Sequence, residues 1–247
     1  MRILIVRHAE PDYAADSVTP KGRVEAELLS RRLARYRIRD FYVSPYGRAQ
    51  DTLAYTLKAC GGTAETLPWL AEFRGRYTDA SGRKEIPWDL PPRQWTAMPY
   101  HADPERWADD PLFAGGTVRS VWEETKAGVD ALMARYGFRR DGPVWVGDGN
   151  TDETIALFCH FGIGAAVLAY LTDVSPMILW HRCVCLPSSV TEAATEERVK
   201  GEVSFRVVKL GDLSHLEMNG VKRSTYGMYP EVYTGIDSTD PTENGTR

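Results

Sequence analysis

Residues 3–6 form a short continuous apolar run rich in β-branched side chains, the pattern of a strand buried on both faces. Thr19 followed by Pro20 predicts a helix start, an N-cap residue with proline in the first turn. Val24, Leu28, Leu29, Leu33 and Tyr36 recur at spacings of three and four and predict its apolar face. Phe41, Tyr42 and Val43 read as the next strand, running into Ser44-Pro45, a second cap-and-proline pair. The helix expected there carries Arg48 in its first turn and reaches about Cys60, where Gly61-Gly62 stops it. Strand, helix, strand, helix in so short a stretch predicts βαβ units and a parallel sheet.

From about residue 73 to 116 the periodicity fails, and Pro87, Pro91, Pro92, Pro99, Pro104 and Pro111 interleave with Trp88, Trp95 and Trp107. A structureless loop of that length is uncommon inside a compact domain, so this stretch predicts an inserted lid over the strand ends. Helical spacing resumes after Gly115-Gly116-Thr117, with Val118, Val121, Trp122, Val129, Leu132, Met133 and Tyr136. Residues 144–146 and 154–159 read as strands, and Asp148-Gly149-Asn150 between them predicts a hairpin. A helix is expected over residues 162–171, and later strands at 184–186, 189–193 and 204–209. The fold expected is therefore α/β: a three-layer sandwich with a mostly parallel central sheet, helices on both faces and the inserted lid. We parse residues 1–224 as one domain carrying the 73–116 insertion, and 225–247 as a polar C-terminal tail.

Composition narrows the partners. With 30 Lys+Arg against 34 Asp+Glu, the net charge of −4 disfavours a nucleic-acid binder, and no apolar run approaches the length of a membrane span. The N-terminus lacks a secretory pattern and four cysteines are too few for a disulfide scaffold, so a cytoplasmic location is expected. Cys183-x-Cys185 with His181 nearby departs from metal-ligand spacings and reads as ordinary buried cysteine, so neither metal nor cofactor is expected.

The candidate chemistry lies at strand ends. His8 follows the first strand and His160 the strand 154–159, where ligands bind in open α/β sheets. Arg7 adjoins His8, and Arg48 sits near a helix N-terminus, a natural site for a phosphate group. Glu72 stands where the insertion begins, a carboxyl group that burial could keep protonated. Arg74 and Arg76 are the nearest charges able to read a second anionic group. The other basic residues of the insertion, Arg83, Lys84 and Arg93, read as solvated, and its tryptophans as its own small core.

These residues sit in ordered motifs. Arg7-His8-Ala9-Glu10-Pro11 resembles the R-H-G/A motif of the histidine phosphatase superfamily, the phosphoglycerate-mutase-like proteins. Thr19-Pro20-Lys21-Gly22 resembles its first helix start, and the stretch from Ser44 through Arg48 to Thr52 fits S-P-x-x-R-A-x-x-T in full. Leu70-Ala71-Glu72 and Cys159-His160-Phe161-Gly162 resemble two further landmarks, with Phe161 where the family has glycine. The resemblance implies that His8 attacks a phosphomonoester to form a phosphohistidine. It also implies that Arg7, Arg48, His160 and the Phe161 backbone hold the phosphoryl group, while Glu72 protonates the leaving oxygen. A small phosphorylated metabolite is the expected substrate. A mutase-type phosphotransferase and a non-catalytic phosphate binder stay open, as does homo-oligomerisation.

Overall fold

The first apolar run forms β1 (Arg2–Arg7), and every residue of it after Arg2 is buried. The computed structural model of the chain describes residues 1–147 and 151–228. β1 lies inside an eight-stranded sheet with β2 (Ile38–Val43), β3 (Ala64–Thr66), β4 (Phe138–Asp141), β5 (Val144–Gly147), β6 (Thr154–Cys159), β7 (Val190–Val199) and β8 (Glu202–Asp212). The order across the sheet is β3-β2-β6-β1-β7-β8-β5-β4. β3, β2, β6 and β1 are mutually parallel, and the strands beyond β1 join antiparallel. Tracing direction from pair to pair, six of the eight strands point the same way, all but β7 and β5.

Alternation along the strands divides the core into two layers. Leu4, Val6, Phe41, Val43, Ala156 and Phe158 face α1 (Pro20–Leu33) and α2 (Gly47–Cys60) through Leu29, Leu33 and Leu53. Ile3, Ile5, Tyr42, Ile155 and Leu157 face the other way, onto α3 (Val118–Ala134), α4 (Phe161–Thr172) and α5 (Pro176–Arg182). Helices therefore cover both faces, as the sandwich expectation requires. Thr19 caps α1 as expected, its hydroxyl accepting from the Gly22 N–H. Val24, expected on the apolar face, is 48% exposed. Leu28, Leu29 and Leu33 of that face are buried as expected, joined by Gly22 and Ala26.

Three expected elements change. Residues 144–146 do not pair with 154–159: β5 joins β8 and β4, whereas β6 is inserted between β1 and β2. All six residues of β6 are buried, and only a central place with both faces covered accommodates such a strand. The turn residues 148–150 lie outside the described residues. β5 instead makes its hairpin with β4, across Gly142 (φ +59°) and Pro143, a positive-φ glycine first and a proline of fixed negative φ second. Residues 184–186 form no strand, and the Cys185 carbonyl accepts from a side chain, that of Arg7. The second helix begins at Gly47 rather than directly after Ser44-Pro45, and Tyr46 occupies its N-cap position.

The 73–116 segment contributes to the same core as α3–α5 and has no separate one. Phe73, Tyr77, Trp95, Trp107 and Phe113 belong to that cluster, with Trp107 fully buried among Trp122, Trp180 and Phe73. Residues 225–228, which composition assigns to the tail, approach the strand ends. The Tyr226 ring packs edge-on against Tyr13, 6.1 Å between centroids, and a Cβ at Gly227 would stand 3.0 Å from the Arg7 guanidinium.

Candidate active site

His8 follows β1 and is almost completely buried. Its Nδ1 lies 2.8 Å from the Ala9 carbonyl. A carbonyl can only accept, so Nδ1 carries the proton and Nε2 the lone pair. Burial, reinforced by the positive charges of Arg7 and Arg48, pushes the imidazole down to about 3. His8 is thus neutral across the physiological range, with Nε2 free to act as a nucleophile. The Ala9 N–H donates to Thr52 Oγ1, which in turn donates to the Arg48 carbonyl, so α2 holds the backbone just after His8.

His160 follows β6 and stands at the N-cap position of α4, with its ring centroid 5.1 Å from that of His8. Its Nε2 shares a 2.7 Å hydrogen bond with Ser44 Oγ, which also accepts from the Tyr46 N–H. The hydroxyl at the expected cap position thus positions a histidine. Burial and the neighbouring bases hold His160 strongly below the ordinary histidine range, so it too is neutral.

Arg7 is buried and donates through one terminal nitrogen to the Cys185 carbonyl at 2.7 Å. Its guanidinium lies 5.8 Å from the centroid of the Phe161 ring, and burial weakens its hold on the proton somewhat. Arg48 donates to Asp16 Oδ1 at 2.6 Å, and the other Asp16 oxygen accepts from the Gly47 N–H at 2.7 Å. Tyr46 and Tyr13 flank the guanidinium at 4.7 and 5.4 Å. Gly47 is required there, since a Cβ would stand 2.2 Å from the Asp16 carbonyl oxygen. Asp16, at φ +46°, belongs to none of the ordered motifs. Among the described residues, Arg7 Nε, Arg48 Nε and His160 Nδ1 are buried without a hydrogen-bond partner. Buried polar atoms are rarely left so, and three around one histidine mark a place built to receive polar atoms from outside.

Glu72 completes the cluster. Its Oε1 accepts from the Phe73 N–H at 2.8 Å and from the Ile163 N–H at 3.0 Å, at the start of α4. Burial raises the carboxyl above its ordinary value, outweighing these two donors and the charges of Arg7 and Arg48. Since Oε1 accepts both amides, the proton of the neutral form resides on Oε2. Phe161 stands between Arg7 and the Trp88 ring, 6.3 Å from the latter. Arg74 and Arg76 are both exposed. Arg76 donates to the adjacent Gly75 carbonyl, and its backbone N–H to Thr117 just before α3. The cations acting most strongly on Glu72 are the distant Arg7 and Arg48, not the neighbouring Arg74. His215 is buried and shares a hydrogen bond with Ser188, whose N–H donates to the His8 carbonyl. Among the described residues no three His, Cys, Asp or Glu side chains are grouped to hold a metal ion, and no helix is long and apolar enough to cross a membrane.

Two neutral histidines and two arginines at the ends of parallel strands, under a raised carboxyl group, define a histidine-centred anion site in an α/β protein. The chain belongs to the histidine phosphatase superfamily, branch 1, whose family model matches residues 3–206. No curated relative matches the sequence. Among solved structures it is similar to a mycobacterial glucosyl-3-phosphoglycerate phosphatase, with 20% identity and TM-score 0.57 over 85% of this chain and 98% of that one. It is also similar to a phosphoserine phosphatase variant from Entamoeba histolytica in complex with phosphoserine, at 15% identity and TM-score 0.57 over 87% and 98%. Bacillus stearothermophilus YhfR matches at 19% identity and TM-score 0.56 over 87% and 98%.

Proposed function

We propose that the chain is a phosphomonoesterase working through a phosphohistidine on His8. The single observation that carries this is the Nδ1–H to Ala9 bond, which leaves a neutral imidazole with its Nε2 lone pair beside two arginines. In the first step Nε2 attacks phosphorus in line, and the bond from phosphorus to the leaving oxygen breaks. The Glu72 proton passes from Oε2 to that oxygen, leaving a carboxylate and a phosphorylated His8. In the second step the carboxylate takes a proton from water, the resulting hydroxide attacks phosphorus, and the P–N bond breaks. Inorganic phosphate leaves, with His8 neutral and Glu72 protonated again. Arg7, Arg48, His160 and the amide end of α4 supply the positive charge and hydrogen bonds that the phosphoryl oxygens need, so no step calls on a metal ion.

Similarity to phosphatases that act on small phosphorylated compounds supports hydrolysis over transfer, and a cytoplasmic small-molecule phosphatase is the role we assign. The test is hydrolysis of p-nitrophenyl phosphate in the presence of a chelator, with wild type and His8→Ala compared. Activity that His8→Ala abolishes is the expected result; activity unchanged in that variant overturns the assignment. Run in 18O-labelled water, the same reaction should release phosphate carrying one solvent oxygen. A phosphotransferase would instead return the group to a second substrate without solvent label.

A further inference from the structure

A cavity of about 630 Å³ opens beside the cluster, between the 73–116 segment, α5 and residues 227–228. Trp88, Trp95, Trp180, Phe161, Val184 and Met228 form much of its wall. None of these side chains carries charge, and the tryptophan rings at Trp88 and Trp180 meet at 5.4 Å. Asp89, His181 and Arg182 also line the cavity. His181 stacks on Trp95 at 4.7 Å and donates through Nδ1 to the Met177 carbonyl, while the Arg182 guanidinium lies 4.8 Å from the same Trp95 ring.

Two contacts connect this cavity to the reacting groups. At the start of α4 a Cβ on Gly162 would meet the Trp88 ring at 2.6 Å and Glu72 Oε1 at 2.7 Å, so ring and carboxyl group share one glycine. On the opposite side Phe161 and Gly227 each approach the Arg7 guanidinium, and both residues also line the cavity. The acid that protonates the leaving oxygen must adjoin the leaving group. A leaving group that takes its proton from Glu72, which does not itself line the cavity, stands one glycine away from it.

Resting on the phosphatase reading above, we propose that the cavity is the leaving-group subsite and that the preferred substrate is a phosphomonoester of a bulky apolar or aromatic alcohol. Arg74 and Arg76, the charges that would have selected a second anionic group, do not line it. Aromatic walls favour flat apolar groups by area removed from water, and of the two charged residues that line them, Asp89 and Arg182, the Arg182 guanidinium lies against the Trp95 face.

The test separates binding from turnover. Ethylphosphonate, (2-naphthylmethyl)phosphonate and 3-phosphonopropionate, none hydrolysable, are titrated into the full chain by calorimetry. The naphthylmethyl compound should bind roughly a hundredfold more tightly than the ethyl one, the scale expected for burying two fused rings. Val184→Asp, at a position 47% exposed and therefore tolerant of a polar side chain, should cut that preference to below about tenfold. Equal affinity for the ethyl and naphthylmethyl compounds overturns the proposal, as does tightest binding of the carboxylate-bearing compound. Ethyl and 2-naphthylmethyl phosphate, whose alkoxide leaving groups are of similar basicity, are then compared as substrates. Turnover of both with equal kcat/KM overturns the subsite while leaving the phosphatase reading intact. The naphthylmethyl preference in binding without turnover of either sustains the subsite and refutes the phosphatase reading.

Discussion

Asp16→Asn isolates the contribution of a residue that no motif announces. Asp16 sits at φ +46°, a conformation asparagine tolerates, so the exchange leaves the loop unstrained. In the native chain each carboxylate oxygen accepts one bond, from Arg48 at 2.6 Å and from the Gly47 N–H at 2.7 Å. An asparagine has one accepting oxygen and can serve one of these donors, not both. The Arg48 side chain is 11% exposed and Asp16 48%, so solvent screens the pair and its loss costs about 1 kcal/mol of stability. That corresponds to a fall of about 2–4 °C in the thermal midpoint for a chain of this size. The charge of Arg48 survives, packed between Tyr46 and Tyr13, but its aim loosens. A displacement near 1 Å in a phosphoryl-binding group lowers kcat/KM roughly 10- to 100-fold. The assay is steady-state hydrolysis of p-nitrophenyl phosphate together with a thermal melt. A kcat/KM within twofold of wild type, alongside the lowered midpoint, would show that the tyrosine rings alone position Arg48 and would refute the clamp.

Three further outcomes are expected. Glu72→Gln should lower kcat/KM for an alkyl phosphate by roughly 10²–10⁴ and for p-nitrophenyl phosphate far less, because nitrophenolate departs without a proton; equal losses on both substrates would remove Glu72 from the acid role. The pH profile should hold on the acid side, since His8 stays neutral until the pH approaches about 3, and should fall on the alkaline side as the raised Glu72 carboxyl loses its proton; Glu72→Gln should abolish the alkaline limb, which its persistence would disprove. Glu25, fully buried in α1 with Oε2 on the Glu10 N–H and Oε1 unpartnered, is pushed by burial up to about 7. The folded chain then binds a proton that the unfolded chain has released, so stability falls as pH rises from about 4.5 to 7, by about 3 kcal/mol in all. Denaturant melts should accordingly show Glu25→Gln more stable than wild type at pH 8 and no more stable at pH 5, and a gain independent of pH would contradict this.

His8, Arg7, Arg48, Glu72 and His160 were legible because each lies within a run whose local chemistry is readable. A buried strand ends at His8 and another at His160, and parallel pairing of β1 with β6 carries both ends to one crevice. What the sequence hid depends on partners remote along the chain or on backbone atoms. The Cys185 carbonyl that receives Arg7 has no side-chain signature. Ser44 reads as a helix cap, yet its hydroxyl is taken by His160, 116 positions away. The hairpin β4–β5 did carry a signal, Asp141-Gly142, which the competing Asp148-Gly149 outweighed. The tryptophans of the insertion were rightly assigned to a core, but that core is the main one shared with α3 and α5, and its rim at Trp88 borders the cavity next to Glu72.

The covalent step at His8 underlies every role assigned to the residues around it. Mixing the chain with a 32P-labelled phosphomonoester, quenching within milliseconds in alkali and mapping the labelled peptide tests it most directly. Acid-labile, alkali-stable label on His8, formed before phosphate release and absent from His8→Ala, is the expected result. Rapid phosphate release with no label on His8 at any quench time would contradict it.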